Sequence, residues 1–66
     1  MPVVKVIEVM AESEKGWEDA TQIAVTEASK TVNNIESVWV KEMKALVDNG
    51  EVTTYRVNTK ISFVVK

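Results

Sequence analysis

Asn49-Gly50 lies between two long β-patterned segments, and it constrains the fold more tightly than any other local feature of the 66-residue chain. A two-residue type I′ loop needs positive φ at both central positions, which Asn and Gly accept at little steric cost. Asp48-Asn49-Gly50-Glu51 therefore predicts a tight hairpin between two antiparallel strands. On its C-terminal side Tyr55, Val57, Ile61, Phe63 and Val65 alternate with Arg56, Asn58, Lys60, Ser62 and Lys66. That period of two gives one core face and one polar face. On its N-terminal side, Ser37 to Val47 reads as the partner strand.

With Asn49 and Gly50 as the loop, an uninterrupted ladder sets Val47 opposite Val52, Met43 opposite Arg56, Trp39 opposite Lys60 and Ser37 opposite Ser62. Val38 then opposes Ile61. Opposed residues share a face. Val38, Val40, Leu46, Val57, Ile61 and Phe63 are expected on the core side, and Ser37, Trp39, Lys41, Met43, Arg56, Asn58 and Lys60 on the other. A bulge in either strand alters this register.

Val3 to Met10 is apolar and rich in β-branched side chains, interrupted by Lys5 and Glu8, and predicts a first strand. Ser13 is placed to cap the following segment, with Glu14 near the positive end of its dipole. Trp17, Ala20, Ala24, Ala28, Thr31, Val32 and Ile35 recur at helical steps, with Glu18, Asp19, Gln22, Glu27 and Lys30 opposite them. The three alanines permit close approach to a sheet, Trp17 adds a large apolar surface, and Asn33-Asn34 supplies a helix end. The expected fold class is α+β: a β-α-β-β order in which a three-stranded antiparallel sheet partly wraps one amphipathic helix. Residues 1–66 form a single domain in this reading.

A chain this short buries only roughly 60% of the surface its unfolded form exposes, so small domains commonly add disulfides, a metal or an oligomeric interface. There is no Cys and no His, which removes disulfides and the common zinc sites and leaves self-association. The same absences remove Cys and His nucleophiles and imidazole bases. An enzyme is not expected. Eight basic against ten acidic residues give a net charge of -2, a poor match for a nucleic acid backbone. No apolar run has the length of a membrane span, and Met1-Pro2-Val3-Val4-Lys5 lacks a signal-peptide pattern. The expected location is the cytoplasm, with no membrane and no nucleic acid partner.

The chain resembles the dodecins, a family of small proteins with this element order that assemble into hollow dodecamers. The resemblance rests on Lys5-Val6-Ile7-Glu8, Ser13-Glu14 with Trp17 opening an Ala-rich helix, Thr31-Val32-Asn33-Asn34, Val40-Lys41-Glu42, and Tyr55-Arg56-Val57 through Ile61-Ser62-Phe63. It implies a homo-oligomer, a dodecamer, that holds a flavin such as FMN, riboflavin or FAD without turnover. Flavin-binding dodecins stack the ring on a Trp early in the second strand and hold its polar edge with a Gln directly after the third-strand Tyr. Ser37 and Arg56 stand at those positions here, and Trp39 lies two residues further along the same predicted face.

Ser37, Trp39 and Arg56 are therefore the candidate cofactor-binding residues. Trp39 offers a stacking surface, or else an apolar anchor between subunits. Arg56, the only arginine, offers a planar fork to phosphate or carboxylate, or else pairs with Glu42 or Glu51 across a subunit boundary. Glu8, Glu12, Glu14, Glu18 and Asp19 lack calcium-loop spacing, although symmetry can assemble a metal site from single carboxylates of several subunits. Two functions follow: a shell that stores or sequesters flavin or a related nucleotide-like cofactor, and a structural assembly whose pocket is empty, metal-associated or adapted to another ligand.

Overall fold

The computed structural model describes residues 3–65; Met1 and Pro2 of the N-terminal reading, and Lys66 of the strand alternation, lie outside the described residues. Strand β1 spans Val3–Ser13, helix α1 Trp17–Ala28, β2 Ile35–Asp48 and β3 Glu51–Val65. The strands form one sheet in the order β1-β3-β2, with β3 antiparallel to both neighbours. Strands β1 and β2 thus run parallel to each other, and parallel strands need a long crossover, which α1 supplies. This is the expected β-α-β-β architecture.

Asn49 and Gly50 have φ of 53° and 80°, as a type I′ loop requires. Val47 pairs with Val52, Trp39 with Lys60, Val38 with Ile61 and Ser37 with Ser62, as an uninterrupted ladder demands. Between these two stretches the register moves by one residue. Thr53 is extra on β3 and Lys41 is extra on β2, so Met43 faces Val57 rather than Arg56, and Arg56 faces Lys44. The second bulge cancels the first. Met43 accordingly shares the rung of core-facing Val57 and leaves the polar face to which simple alternation assigned it. The Thr53 hydroxyl donates to the Leu46 carbonyl at 3.4 Å, an interaction local to its bulge. A further irregularity sets Glu36 between the Ile35–Phe63 and Ser37–Ser62 pairs.

Both helix ends differ from the sequence expectation. Ser13 is the last residue of β1, and Gly16 is the N-cap without a side-chain cap bond. The Ser13 hydroxyl instead donates to Asp19 Oδ2 at 2.6 Å and accepts from the Lys15 amide at 2.9 Å, tying the strand end to the first helical turn. The helix closes at Ala28 through Ser29 rather than at Asn33-Asn34. Thr31 and Val32 donate their amides to Ala28 O in a tightened last turn, and Asn34, with φ of 61°, redirects the chain into β2. Ile35 belongs to the sheet, so it reaches the same core from the strand side.

Ala20 and Ala24 are fully buried and Ala28 nearly so, which lets the helix backbone approach the sheet closely. Ala24, Ala28 and Ile61 form the core cluster, with Ile7, Val9, Ala11, Val25, Ile35 and Val38 packed around it. Thr59 is also fully buried, a polar residue within the apolar alternation; its hydroxyl donates to the Val9 carbonyl at 2.7 Å, which offsets its desolvation. Trp17 stays 36% exposed and meets Tyr55 edge-on, with ring centroids 4.9 Å apart.

At 1.5 Å per residue the helix is only about 18 Å long, whereas a strand of β3's length extends for roughly 50 Å. The molecule measures 51 × 19 × 13 Å, and its radius of gyration of 13.5 Å exceeds the roughly 11 Å of a compact chain of this size. Much of the sheet therefore has no helix over it.

Gly50→Ala places a Cβ at φ of 80° without a steric neighbour, so the penalty is backbone strain alone; urea unfolding at fixed protein concentration is expected to show a loss of about 1–2 kcal/mol. Ile61→Ala removes the one large side chain of the core cluster and is expected to cost about 2–5 kcal/mol.

Candidate functional site: a groove on the open sheet face

The face of the sheet turned away from α1 carries the even-numbered side chains of β1 and, beyond the bulge at Thr53, of β3, together with Ser37 and Trp39 of β2. On β1 and β3 these meet as Val6 with Ser62, Glu8 with Lys60, Met10 with Asn58 and Glu12 with Arg56. Two adjacent rungs build a groove of about 380 Å³ lined by Val6, Ser37, Trp39, Lys60 and Ser62. Each strand contributes. Val6 and Trp39 supply apolar walls and remain 55% and 61% exposed. The Ser37 and Ser62 hydroxyls share a short hydrogen bond across β2 and β3. Lys60 Nζ lies 5.8 Å from the Trp39 ring centroid, a cation over an aromatic face.

Ser37 and Trp39 thus line one groove, as residues two apart on one strand face must. Arg56 lies on the same face but four residues along β3 from Lys60, roughly 13 Å away. It borders a smaller depression of about 110 Å³, beside Met10, Glu42, Met43, Lys44 and Asn58. Its guanidinium is engaged by Glu12: Nε donates to Oε2 at 2.5 Å, and the second contact of the fork falls on the same carboxylate oxygen. Neither Glu42 nor Glu51 is its partner within the chain, because β1 adjoins β3 and brings Glu12 into register with it. Glu42 instead accepts from Asn58 Nδ2 at 3.2 Å.

The bulge at Lys41 also shapes this face. It lets Lys41 reach across β3 to Glu8 of β1, with Nζ 3.8 Å from Oε2, while Glu42 remains on the same face. Nothing in the residue type of Lys60 marks it as part of a site. Its place opposite Trp39 follows from the hairpin register, so the signal lay in the pairing rather than in a motif. Among the described residues, no group of three or more acidic side chains in one chain is arranged to hold a metal ion.

The Dodecin family model matches residues 3–66. The chain is similar to calcium dodecin of Mycobacterium tuberculosis, 36% identical over 63 residues that cover 96% of this chain and 89% of that protein. It is also similar to dodecin of Thermus thermophilus, 33% identical over 61 residues that cover 92% of this chain and 88% of that protein. A crystal structure of a T. thermophilus dodecin variant superposes with a TM-score of 0.94 at 30% identity, covering 100% of this chain and 98% of the other. Sequence match and superposition both run the length of the strand-helix-strand-strand unit, and the chain belongs to the dodecin family.

Proposed function

We propose that the chain assembles into a dodecin-type homo-oligomeric shell, a dodecamer, that stores or sequesters a planar aromatic cofactor of the flavin class: FMN, riboflavin or FAD. The observation that carries this reading is Trp39, whose indole is 61% exposed within a groove built by all three strands. Stacking a ring there removes apolar surface from water on both partners and adds the roughly 0.5–1.5 kcal/mol typical of offset aromatic contact. Ser37 and Ser62 present hydroxyls at the groove wall. Their mutual hydrogen bond holds both oxygens at that wall, each with a lone pair left to accept from a ligand. Arg56, paired with Glu12, braces β1 against β3 at the far end of the same face.

The mechanism of storage is burial: a flavin held against an indole inside a shell loses access to solvent and oxygen, and its fluorescence is quenched. The uncovered length of the sheet supports self-association, since Met10, Met43, Val47 and Val52 are each at least half exposed. That same exposure favours a second reading, a structural shell in which Trp39 is an apolar anchor between subunits. The name of the M. tuberculosis relative adds a metal-associated variant of that reading, with carboxylates such as Glu8, Glu12, Glu14, Glu18 or Asp19 contributed by several subunits. No helix of the described residues is long and apolar enough to cross a membrane, and we assign the shell to the cytoplasm, with neither membrane nor nucleic acid as a partner.

Native mass spectrometry of undialysed protein is expected to show a dodecamer carrying flavin-sized mass increments. Trp39→Ala is expected to abolish quenching of added flavin while the subunit number stays unchanged. Loss of the oligomer in that variant establishes the interface reading instead.

A further inference from the structure

We infer that Lys60 sets the charge selectivity of the Trp39 groove, so that its preferred occupant is a planar aromatic compound bearing an anionic group on the ring or on a short arm. This rests on the proposal that a ring stacks on Trp39. Of the residues that line the groove only Lys60 is charged, and Glu8, Lys41 and Glu42 flank it on the same face. Glu8 stands opposite Lys60 in the ladder, but its carboxylate lies 3.8 Å from Lys41 Nζ. Among the described residues Lys60 has no carboxylate within ion-pair distance. Lys60 is thus the one charged residue that lines the groove itself, and it gives the groove a positive charge in a chain whose net charge is -2.

The position of the ammonium gives that charge its effect. Nζ lies 5.8 Å from the Trp39 centroid, a contact worth only about 0.5–1 kcal/mol at an exposed site. An incoming ring can replace the ammonium over the indole, after which Lys60, on its flexible stem, is left at the edge of the stack. A phosphate or carboxylate on the ligand restores a partner to it through a charge-assisted hydrogen bond. A neutral ligand displaces the ammonium without that return. Arg56 is unsuited to the same task, since it is already held by Glu12 and borders a different depression.

FMN and riboflavin carry the same ring and differ by one phosphate, so they separate charge selectivity from stacking. Wild type, Lys60→Gln and Lys60→Arg are titrated with each by flavin fluorescence quenching at low and high salt, with native mass spectrometry confirming assembly. The expected result is that wild type binds FMN at least fivefold more tightly than riboflavin at low salt. Lys60→Gln should bring that ratio to within twofold of unity, and Lys60→Arg should retain it. A ratio unaffected by Lys60→Gln, or no preference in wild type, overturns the role of Lys60 and leaves stacking on Trp39 standing. Absence of binding by both flavins overturns both proposals.

Discussion

The mismatch in length between the hairpin and the helix governs this molecule. Strands of 14 and 15 residues outrun a helix of 12, because a strand advances about twice as far per residue. Core formation is therefore confined to the stretch where Ala20, Ala24 and Ala28 let the helix settle onto the sheet around Val57 and Ile61. Alanine allows close approach but offers little apolar area of its own. The result is a dense contact of limited extent, with extended strands beyond it whose apolar side chains remain available to other copies of the chain.

The paired bulges give the open sheet face its chemistry. A single extra residue shifts every pairing beyond it, but Thr53 on β3 and Lys41 on β2 cancel each other in register. The shift is confined to the segment between them. Trp39 and Ser37 thereby keep the partners set by the hairpin, while Met43 pairs with core-facing Val57 and Lys44 with Arg56. The same bulge sends Lys41 towards Glu8. Carboxylates from β1 thus engage two of the cations on this face, and Lys60 remains beside the indole.

The resemblance to flavin-binding dodecins implies a stacking ring where this chain has Ser37, and the aromatic surface present, Trp39, stands one rung along on the same groove. A displacement of roughly 7 Å along a strand moves the ring to the side of Lys60. An exposed indole and an ammonium are thereby brought together in one groove by residues that are not neighbours in sequence.

Asn49-Gly50 determined the hairpin without tertiary help, because positive φ at two successive residues is a local requirement met by few side chains. Alternation in the last strand likewise identified its core face, apart from Thr59, whose buried hydroxyl is explained only by a carbonyl on β1. The order of elements and the pairing of Trp39 with Lys60 were legible for the same local reasons. The helix ends were not: Ser13 is drawn into a bond with Asp19, and the turn after Ala28 tightens before the expected asparagines are reached. Nor could local sequence reveal that Arg56 pairs with Glu12, 44 positions away, or that two bulges cancel. These depend on which strands become neighbours, and only the packed sheet decides that.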